Sequence, residues 1–224
     1  MNAHCLRFDV RFALLAAYLL VLTLPTSAFA ESTFDEEMRL FSELLNLRPG
    51  AAVADIGAGE GDYALAVAEI VGETGAVYAT ELDEDKLEAL RILEQERGLS
   101  QFHVIEGHFE STALQTASVD AAFLRDVYHH ITQPEKFVAD LYRTIRPGGR
   151  LVLIDFPPTF WLALFTPKGI PENRGGHGIP IDLLIDEAKA AGFVPIRTVE
   201  TWPSSNFVTR TYGVAFERPA TPTR

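Results

Sequence analysis

Cysteine is almost absent from this chain of 224 residues, since the single one is Cys5, close to the N-terminus. A lone cysteine cannot form an intrachain disulfide, and the body of the chain offers neither a cysteine-based zinc site nor a cysteine nucleophile. Positive charge is also scarce, because 19 lysines and arginines stand against 31 acidic residues and give a formal net charge of −12 at pH 7. This charge argues against a protein that binds nucleic acid by neutralising phosphates, so we expect no nucleic-acid partner.

The N-terminus has the pattern of a secretory leader. Two arginines precede a nearly all-apolar run over residues 12–24, and a small-residue sequence, Ala-Phe-Ala, ends at Ala30. This order predicts a signal peptide over residues 1–30. The apolar run is shorter than the ~20 residues that span a bilayer, although an anchor formed by an uncleaved leader stays open as an alternative. We expect the working protein to be residues 31–224, periplasmic or secreted and without stable membrane insertion, while its oligomeric state is left open.

After the leader, short apolar runs alternate with amphipathic stretches. This order predicts a parallel sheet with helices on both faces. The predicted helices cover residues 34–47 and 63–71, begin at the Asp83 cap and at Pro134, and cover residues 181–191. The predicted strands cover residues 51–56, 76–80, 102–105, 119–124, 150–156, 193–200 and 206–216. The last two strands are joined by a short link, so we expect them to be antiparallel.

A long loop over residues 157–179 interrupts the alternation. It contains four prolines, four glycines and an aromatic cluster formed by Phe160, Trp161 and Phe165. A loop of this length inside a compact domain is usually a lid or a binding loop. Three glycines surround His177, which would let its imidazole approach a substrate closely. The aromatic cluster is open to three interpretations: ordinary packing, the apolar wall of a substrate pocket or a membrane-facing patch.

The strongest chemical signal is a glycine-rich turn between the first predicted strand and the next helix. Residues 55–61 read Asp-Ile-Gly-Ala-Gly-Glu-Gly, where glycines permit positive φ and let a ligand lie against the backbone at a helix N-terminus. Twenty residues beyond this turn stands Glu81, whose carboxylate can accept two hydrogen bonds from a ribose diol. Asp62 occupies the place of the third glycine of the dinucleotide fingerprint. The pattern predicts nucleoside binding and leaves a nicotinamide oxidoreductase as one alternative.

These motifs resemble those of the class I S-adenosylmethionine-dependent methyltransferases over most of residues 40–217. The segments that carry the resemblance are residues 53–61, 78–81, 118–122 and 145–151. The nearest similarity is to small-molecule enzymes of the quinone C-methylating type, because Asp-Val-Tyr-His-His at residues 126–130 precedes a proline-started helix and a Pro-Gly-Gly sequence. The resemblance implies an α/β, Rossmann-like, doubly wound sheet of seven strands, mostly parallel with an antiparallel last strand, and S-adenosyl-L-methionine as the cofactor.

The resemblance also implies which residues bind the cofactor. The expected residues are Asp55, Gly57, Gly59 and Gly61 around the methionine portion, Glu81 at the ribose, Leu82 against the adenine and Arg125 at the methionine end. One position departs from the family. Where the family usually has Gly-Asp after the third strand, this chain has Gly107-His108, so His108 stands in place of the acid that meets the adenine amino group, with Glu110 as a candidate substitute.

Asp126, His130 and His177 are the candidate catalytic residues. Asp126 and His130 follow the fourth predicted strand, at the carboxyl edge where such sheets bind ligands. His130 resembles a histidine common at this place in the family, so it is interpreted either as a general base or as a side chain hydrogen-bonded to loop backbone. His129 is expected to be an exposed neighbour. Because adjacent histidines would not face one ion from one side of a helix, and no acidic partner is evident, no metal is predicted.

The expected activity is methyl transfer from S-adenosylmethionine to a small, apolar or aromatic acceptor in the cell envelope. Holding the acceptor in line with the methyl group can contribute ~7–11 kcal/mol, so such an enzyme needs few catalytic side chains. Because the cofactor is made in the cytosol, an exported enzyme would need it supplied. A non-catalytic S-adenosylmethionine- or nucleoside-binding module in the cell envelope is therefore the alternative.

Overall fold

A computed structural model of the protein describes residues 26–159, 166, 168–206 and 209–220, and side chains from residue 33 onward. Most of the predicted leader and the aromatic cluster of the long loop therefore lie outside the described residues. Within the described ranges, no helix combines the length and the apolar character that crossing a membrane requires.

Helices and strands alternate along the described chain as predicted. The helices are α1 (Thr26–Leu45), α2 (Asp62–Val71), α3 (Glu84–Arg97), α4 (Pro134–Thr144) and α5 (Ile181–Ala190). The strands are β1 (Ala52–Ile56), β2 (Ala76–Glu81), β3 (Phe102–Glu106), β4 (Val119–Arg125), β5 (Ile145–Asp155), β6 (Val194–Val199) and β7 (Tyr212–Glu217). Short 3-10 turns occupy Tyr128–His130 and Glu172–Arg174. The predicted cap of α3 is confirmed, because the Asp83 carboxylate accepts a hydrogen bond from the backbone N–H of Lys86 at 3.1 Å.

The seven strands form one sheet in the order β3-β2-β1-β4-β5-β7-β6. Strands β1 to β5 pair in parallel, whereas β7 is antiparallel to both β5 and β6. The predicted α/β, Rossmann-like sheet with an antiparallel last strand is thus confirmed. In such a sheet the strand order reverses at the first strand, and ligands bind there, at the carboxyl edge between β1 and β4.

Each face of the sheet is covered by helices that bury an apolar surface. On one face, α1, α2 and α3 contribute Phe41, Val67 and Leu90, all fully buried. On the other face, α4 and α5 contribute Leu141 and Leu184. Because both faces are covered, the central strands are apolar on both sides, which explains why they appear in the sequence as short continuous apolar runs.

Two strand boundaries differ from the prediction. Strand β5 begins at Ile145 rather than at residue 150, because Val119 of β4 pairs with Ile145 whereas Ala121 pairs with Arg150. Because α4 ends at Thr144, the Pro-Gly-Gly sequence at residues 147–149 lies in a bulge inside the strand rather than at the end of the helix.

Strand β7 begins at Tyr212 rather than at residue 206. The preceding segment makes its own turns instead, since the backbone N–H of Trp202 donates to the carbonyl of Thr211 at 2.8 Å. The side chain of Asn206 also accepts a hydrogen bond from the backbone N–H of Thr209 at 2.9 Å. Local side-chain bonds of this kind compete with strand pairing.

Candidate active site

The glycine-rich turn and Glu81 meet at the carboxyl edge of the sheet. Strand β1 pairs in parallel with β2, which places the turn that follows β1 beside the end of β2. Glu81 connects the two, because its Oε2 accepts a hydrogen bond from the N–H of Gly59 at 3.0 Å and its Oε1 accepts one from the N–H of Leu82 at 2.7 Å. The carboxylate is therefore held by backbone groups in a fixed orientation.

The missing Cβ has a different structural consequence at Gly57 and at Gly59. Gly57 has a φ of +77°, and a Cβ built on it would lie 2.6 Å from Cγ2 of Val127, in the loop after β4. Gly59 has a φ of +56°, but no atom lies within 4 Å of its Cβ position. Gly57 therefore lets the turn pack against the neighbouring loop, whereas the space over Gly59 is open to a ligand.

Two adjoining cavities of about 480 Å³ and about 310 Å³ lie at this edge. Their combined size is that of a small-molecule site. The larger cavity is lined by residues from the ends of several strands, among them Gly57, Glu81, Leu82, His108, Asp126 and His130. The smaller is lined by Asp55, Gly57, Gly59, Gly61, Arg125 and Asp126. The fold thus gathers every expected cofactor-binding residue around one continuous edge.

Asp55 gives this edge an unusual electrostatic character. Its side chain is 3% exposed, and burial together with the nearby Glu81 carboxylate raises the pKa of Asp55 to about 8, although Arg125 opposes the shift. In the ligand-free protein Asp55 therefore binds a proton at neutral pH. A cationic ligand group beside it would favour the carboxylate, so the smaller cavity is suited to a positively charged ligand.

Arg125 ties the site to the N-terminal helix. Its guanidinium lies 5.0 Å from the ring centre of Tyr63, and its Nη2 donates to Oγ of Ser204 at 3.1 Å. Glu37 of α1 is buried beside it, accepts the Tyr63 hydroxyl hydrogen bond and lies 3.7 Å from Nε of Arg125. Glu37 and Tyr63 were missed by sequence reasoning because their partners are far away in the chain and no local motif contains them.

Asp126 stands between the two cavities in a conformation that few residues adopt. Its φ is +57°, in the left-handed region, and its backbone N–H donates to the carbonyl of Ile154 at 2.9 Å. Its carboxylate lies 2.7 Å from Nη1 of Arg125, yet burial raises its pKa above the ordinary value. Non-glycine residues held in this region are common at functional sites, so the conformation is compatible with a functional role of Asp126, which stays a prediction.

The chain has His108 where the family usually has an acid, and the structure does not supply that acid from Glu110. His108 lines the larger cavity, where its backbone N–H donates to the carbonyl of Ser111 at 3.3 Å. The carboxylate of Glu110 instead accepts hydrogen bonds from Gln133 and Lys136 of the α4 segment. Glu110 is therefore not the substitute that the sequence suggested.

Three histidines from two distant segments meet beside the larger cavity. The ring centre of His129 lies 4.0 Å from that of His130 and 4.7 Å from that of His177. Desolvation and the two neighbouring imidazoles lower the pKa of His130 to about 4. The loop that carries His177 lies close to the end of β5 at Gly178, which has a φ of +112°. A Cβ built on Gly178 would lie 2.8 Å from the carbonyl oxygen of Phe156, so this close approach requires glycine.

His129 is buried, contrary to the expectation that it is an exposed neighbour. Its side chain is 2% exposed, and its Nδ1 lies 2.8 Å from Oδ1 of Asp155, at the end of β5. Its backbone N–H donates to Oδ2 of the same carboxylate at 3.0 Å. The Asp155 carboxylate can only accept in this contact, so Nδ1 carries the proton. In the neutral imidazole Nε2 is then the unprotonated nitrogen, and this buried atom has no hydrogen-bond partner among the described residues.

The expectation that the adjacent histidines cannot face one ion, on which the exclusion of a metal rested, is therefore wrong. One ligand nitrogen from each of His129, His130 and His177 lies within 4.8 Å of the others, and Asp155 is the acidic partner that the sequence did not reveal. The premise failed because Tyr128–His130 is a 3-10 turn rather than an α-helix, and because β4 and β5 are parallel and bring both ends together.

Comparisons of the sequence and of the fold match this chain to known methyltransferases. Residues 54–153 match the family described as a methyltransferase domain. The ubiquinone/menaquinone biosynthesis C-methyltransferase UbiE of Haemophilus ducreyi is 27% identical over 111 residues, which are 49% of this chain and 43% of that protein. The match thus spans less than half the length of this curated relative.

Two solved structures share the fold. A SAM dependent methyltransferase from Aquifex aeolicus has a TM-score of 0.68 at 22% identity, over 95% of this chain and 100% of that one. Phosphoethanolamine N-methyltransferase 2 of Haemonchus contortus, solved with S-adenosyl-L-methionine, has a TM-score of 0.67 at 14% identity, over 83% of this chain and 52% of that one.

The resemblance to the class I S-adenosylmethionine-dependent methyltransferases is confirmed. The chain has their fold, and residues 54–153 match the methyltransferase domain family. The matches do not support the alternative of a non-catalytic binding module.

Proposed function

We propose that this protein transfers a methyl group from S-adenosylmethionine to a small, apolar or aromatic acceptor. The observation that carries the proposal is the edge where Glu81, fixed by the backbone of the glycine-rich turn, lines the same cavity as His130. Curated relatives named as ubiquinone/menaquinone C-methyltransferases support an acceptor of the quinone or phenol class.

The residues at this edge fit the cofactor in charge and in shape. S-adenosylmethionine, when bound, supplies a methyl group activated by a positively charged sulfur. The open space over Gly59 leaves room for a ligand against the backbone, and Glu81 supplies a fixed carboxylate for hydroxyl groups. Asp55, which binds a proton in the ligand-free protein, favours a cationic ligand at the methionine side.

The acceptor side is formed by Asp126, His130 and His177, with His129 and Asp155 behind them. We propose that acceptors bind against His130, which lines the cavity, and that an imidazole of the cluster accepts the proton of an acceptor hydroxyl or thiol. Asp155 orients His129 through a 2.8 Å contact and so stabilises the arrangement of the rings. Positioning the acceptor would provide most of the rate enhancement, and proton removal would add to it.

We further propose that the protein works outside the cytosol after removal of residues 1–30. The support is the order of positive charge, apolar run and small residues in the sequence. Helix α1 begins at Thr26, so a chain cleaved after Ala30 would begin within that helix. Intact-mass analysis of protein recovered from cell fractions would test this, since a cytosolic product of full mass would contradict export.

Calorimetric titration of the purified protein is the direct test of the cofactor. We expect S-adenosylmethionine and S-adenosylhomocysteine to bind and NAD not to bind. Binding would then justify assays with labelled methyl groups on a panel of phenols, quinones and thiols. A folded protein that binds neither sulfur nucleoside would contradict the proposal, and a protein that binds both but methylates nothing would favour a sensor.

A further inference from the structure

We propose that His129, His130 and His177 form a binding site for a divalent transition-metal ion of the Zn²⁺ type. The proposed binding does not depend on methyl transfer, because it concerns only the side chains of this cluster. No other group of three potential ligands is found among the residues that the structure describes.

The ligand atoms already converge. One nitrogen from each of the three imidazoles lies within 4.8 Å of the other two. Nitrogens bound to Zn²⁺ at about 2.0–2.1 Å in a tetrahedral site lie roughly 3.3 Å apart, so the three rings need to close by about 1.5 Å at most. His130 is exposed at the cavity wall and His177 is half-buried, which leaves two of the three rings room to adjust.

His129 provides the second, independent observation. Its Nε2 is buried and has no hydrogen-bond partner in the described part of the chain. Burying an unpaired polar nitrogen costs free energy, which a ligand bound to that nitrogen would offset. Because Asp155 accepts the proton of Nδ1, the Nε2 lone pair is free to coordinate an ion.

Asp155 supplies the support that metal-binding histidines usually have. Its carboxylate accepts hydrogen bonds from the backbone N–H of His129 at 3.0 Å and of Phe156 at 2.9 Å, in addition to its 2.8 Å contact with Nδ1. A carboxylate behind a ligating histidine fixes the orientation of the ring and increases its basicity. Asp155 is thus a positioning residue.

The segment that brings His177 to the site is itself held in place. Arg174 is fully buried, and its guanidinium lies 3.2 Å from Glu187 of α5 and 5.0 Å from the ring centre of Tyr128. The backbone N–H of Ile179 donates to the carbonyl of Phe156 at 2.9 Å. The third ligand is therefore carried by a packed segment on both sides of the histidine.

The chemical consequence concerns the acceptor and rests on the proposed methyl transfer. Three protein ligands leave a coordination position for water or for a substrate atom, and His130 places that position at the cavity. A hydroxyl or thiol bound there would lose its proton to solvent more readily, because the ion stabilises the resulting anion. The ion would then replace an imidazole as the group that activates the acceptor, and hydroxyl or thiol acceptors would be favoured.

Metal binding can be measured without cofactor or acceptor. The full-length protein, purified with a tag that contains no histidine and treated with a chelator, would be titrated with Co²⁺ by visible absorption and with Zn²⁺ by calorimetry. We expect one ion per chain and a Co²⁺ spectrum typical of four or five ligands. The variants are His130→Ala, His177→Ala and Asp155→Asn, with His103→Ala as the matched control because His103 lies on β3, outside the cluster.

We expect His130→Ala and His177→Ala each to weaken binding at least about tenfold, Asp155→Asn to weaken it about 10–100-fold, and His103→Ala to leave it unchanged. Thermal melting of each variant would establish that it is folded. The proposal is overturned if the folded parent protein binds neither ion, or if His130→Ala and His177→Ala bind as the His103→Ala control does. Failure of the proposed function is distinguishable, because it would appear in the cofactor titration.

Discussion

The site has two parts that are built in different ways, the proposed cofactor side and the histidine side. Most of the cofactor side comes from three consecutive elements, β1, α2 and β2, with His108 and Arg125 added after β3 and at the end of β4. It depends on backbone groups, since Glu81 is held by the N–H groups of Gly59 and Leu82. The histidine side comes from the ends of β4 and β5 and from the long loop, and it depends on contacts between side chains, such as the 2.8 Å pair of His129 and Asp155. A local motif thus specifies one side, whereas only the packing of distant segments creates the other.

The largest expected effect of a substitution is on the rate of methyl transfer, and it is expected on the histidine side. The double variant His130→Ala, His177→Ala should lower methyl transfer by about 10²–10⁴-fold on an acceptor that must lose a proton. Its affinity for S-adenosylmethionine should stay within about threefold, because neither histidine is among the expected cofactor-binding residues and residues without shared partners act independently. Rates and calorimetry on the same preparation would check this, and equal rates in parent and variant would refute the acceptor-side roles.

The next effect is expected on the cofactor side. Glu81→Ala should weaken S-adenosylmethionine binding by about 10²-fold or more, because a charged acceptor contributes ~1.5–3 kcal/mol for each hydrogen bond it makes. Glu84→Ala is the matched control, since Glu84 is exposed in the first turn of α3 and lines neither cavity. If both variants bind alike in calorimetry, the ribose role of Glu81 is wrong.

Two glycine variants would separate the roles of Gly57 and Gly59 within the cofactor side. Gly57→Ala should destabilise the protein by about 1–3 kcal/mol, since it combines a positive φ with a Cβ 2.6 Å from Val127. Gly59→Ala should cost about 1 kcal/mol or less, because its Cβ meets nothing, yet it should weaken cofactor binding. Chemical denaturation would measure both; a Gly57→Ala protein as stable as Gly59→Ala would contradict the close packing.

A further effect on the cofactor side concerns pH. The pKa of Asp55 is raised to about 8 from an ordinary value of 3.8, so its contribution to stability is fully present below pH 3.8 and is lost as pH rises through 8. Asp55→Asn should therefore gain stability relative to the parent protein between pH 5 and pH 9, by at least about 1 kcal/mol. Melting temperatures at both pH values would show it, with exposed Asp85→Asn as the control for removing one charge. A difference that does not change with pH would contradict the shift.

The predictions that succeeded share one property, which is that the residues concerned lie close together in sequence. The order of strands and helices and the cap at Asp83 follow from short patterns. The expected cofactor residues from Asp55 to Leu82 also come from a short pattern, and the fold places them around adjoining cavities, while their role in binding stays a prediction. The boundaries of β5 and β7 were misjudged because a bulge and a side-chain turn are decided by the neighbouring strand and by local hydrogen bonds.

Residue patterns in the amino-acid sequence specify the class of fold and predict the cofactor side of the site. Helical and strand periodicities are properties of neighbouring residues, and a glycine-rich turn works through its own backbone. Only the tertiary structure decided that His129 is buried, that Asp155 orients it and that His177 completes the cluster. These contacts depend on the parallel pairing of β4 and β5 and on the close approach at Gly178, and no local pattern encodes a distance between segments so far apart in the chain.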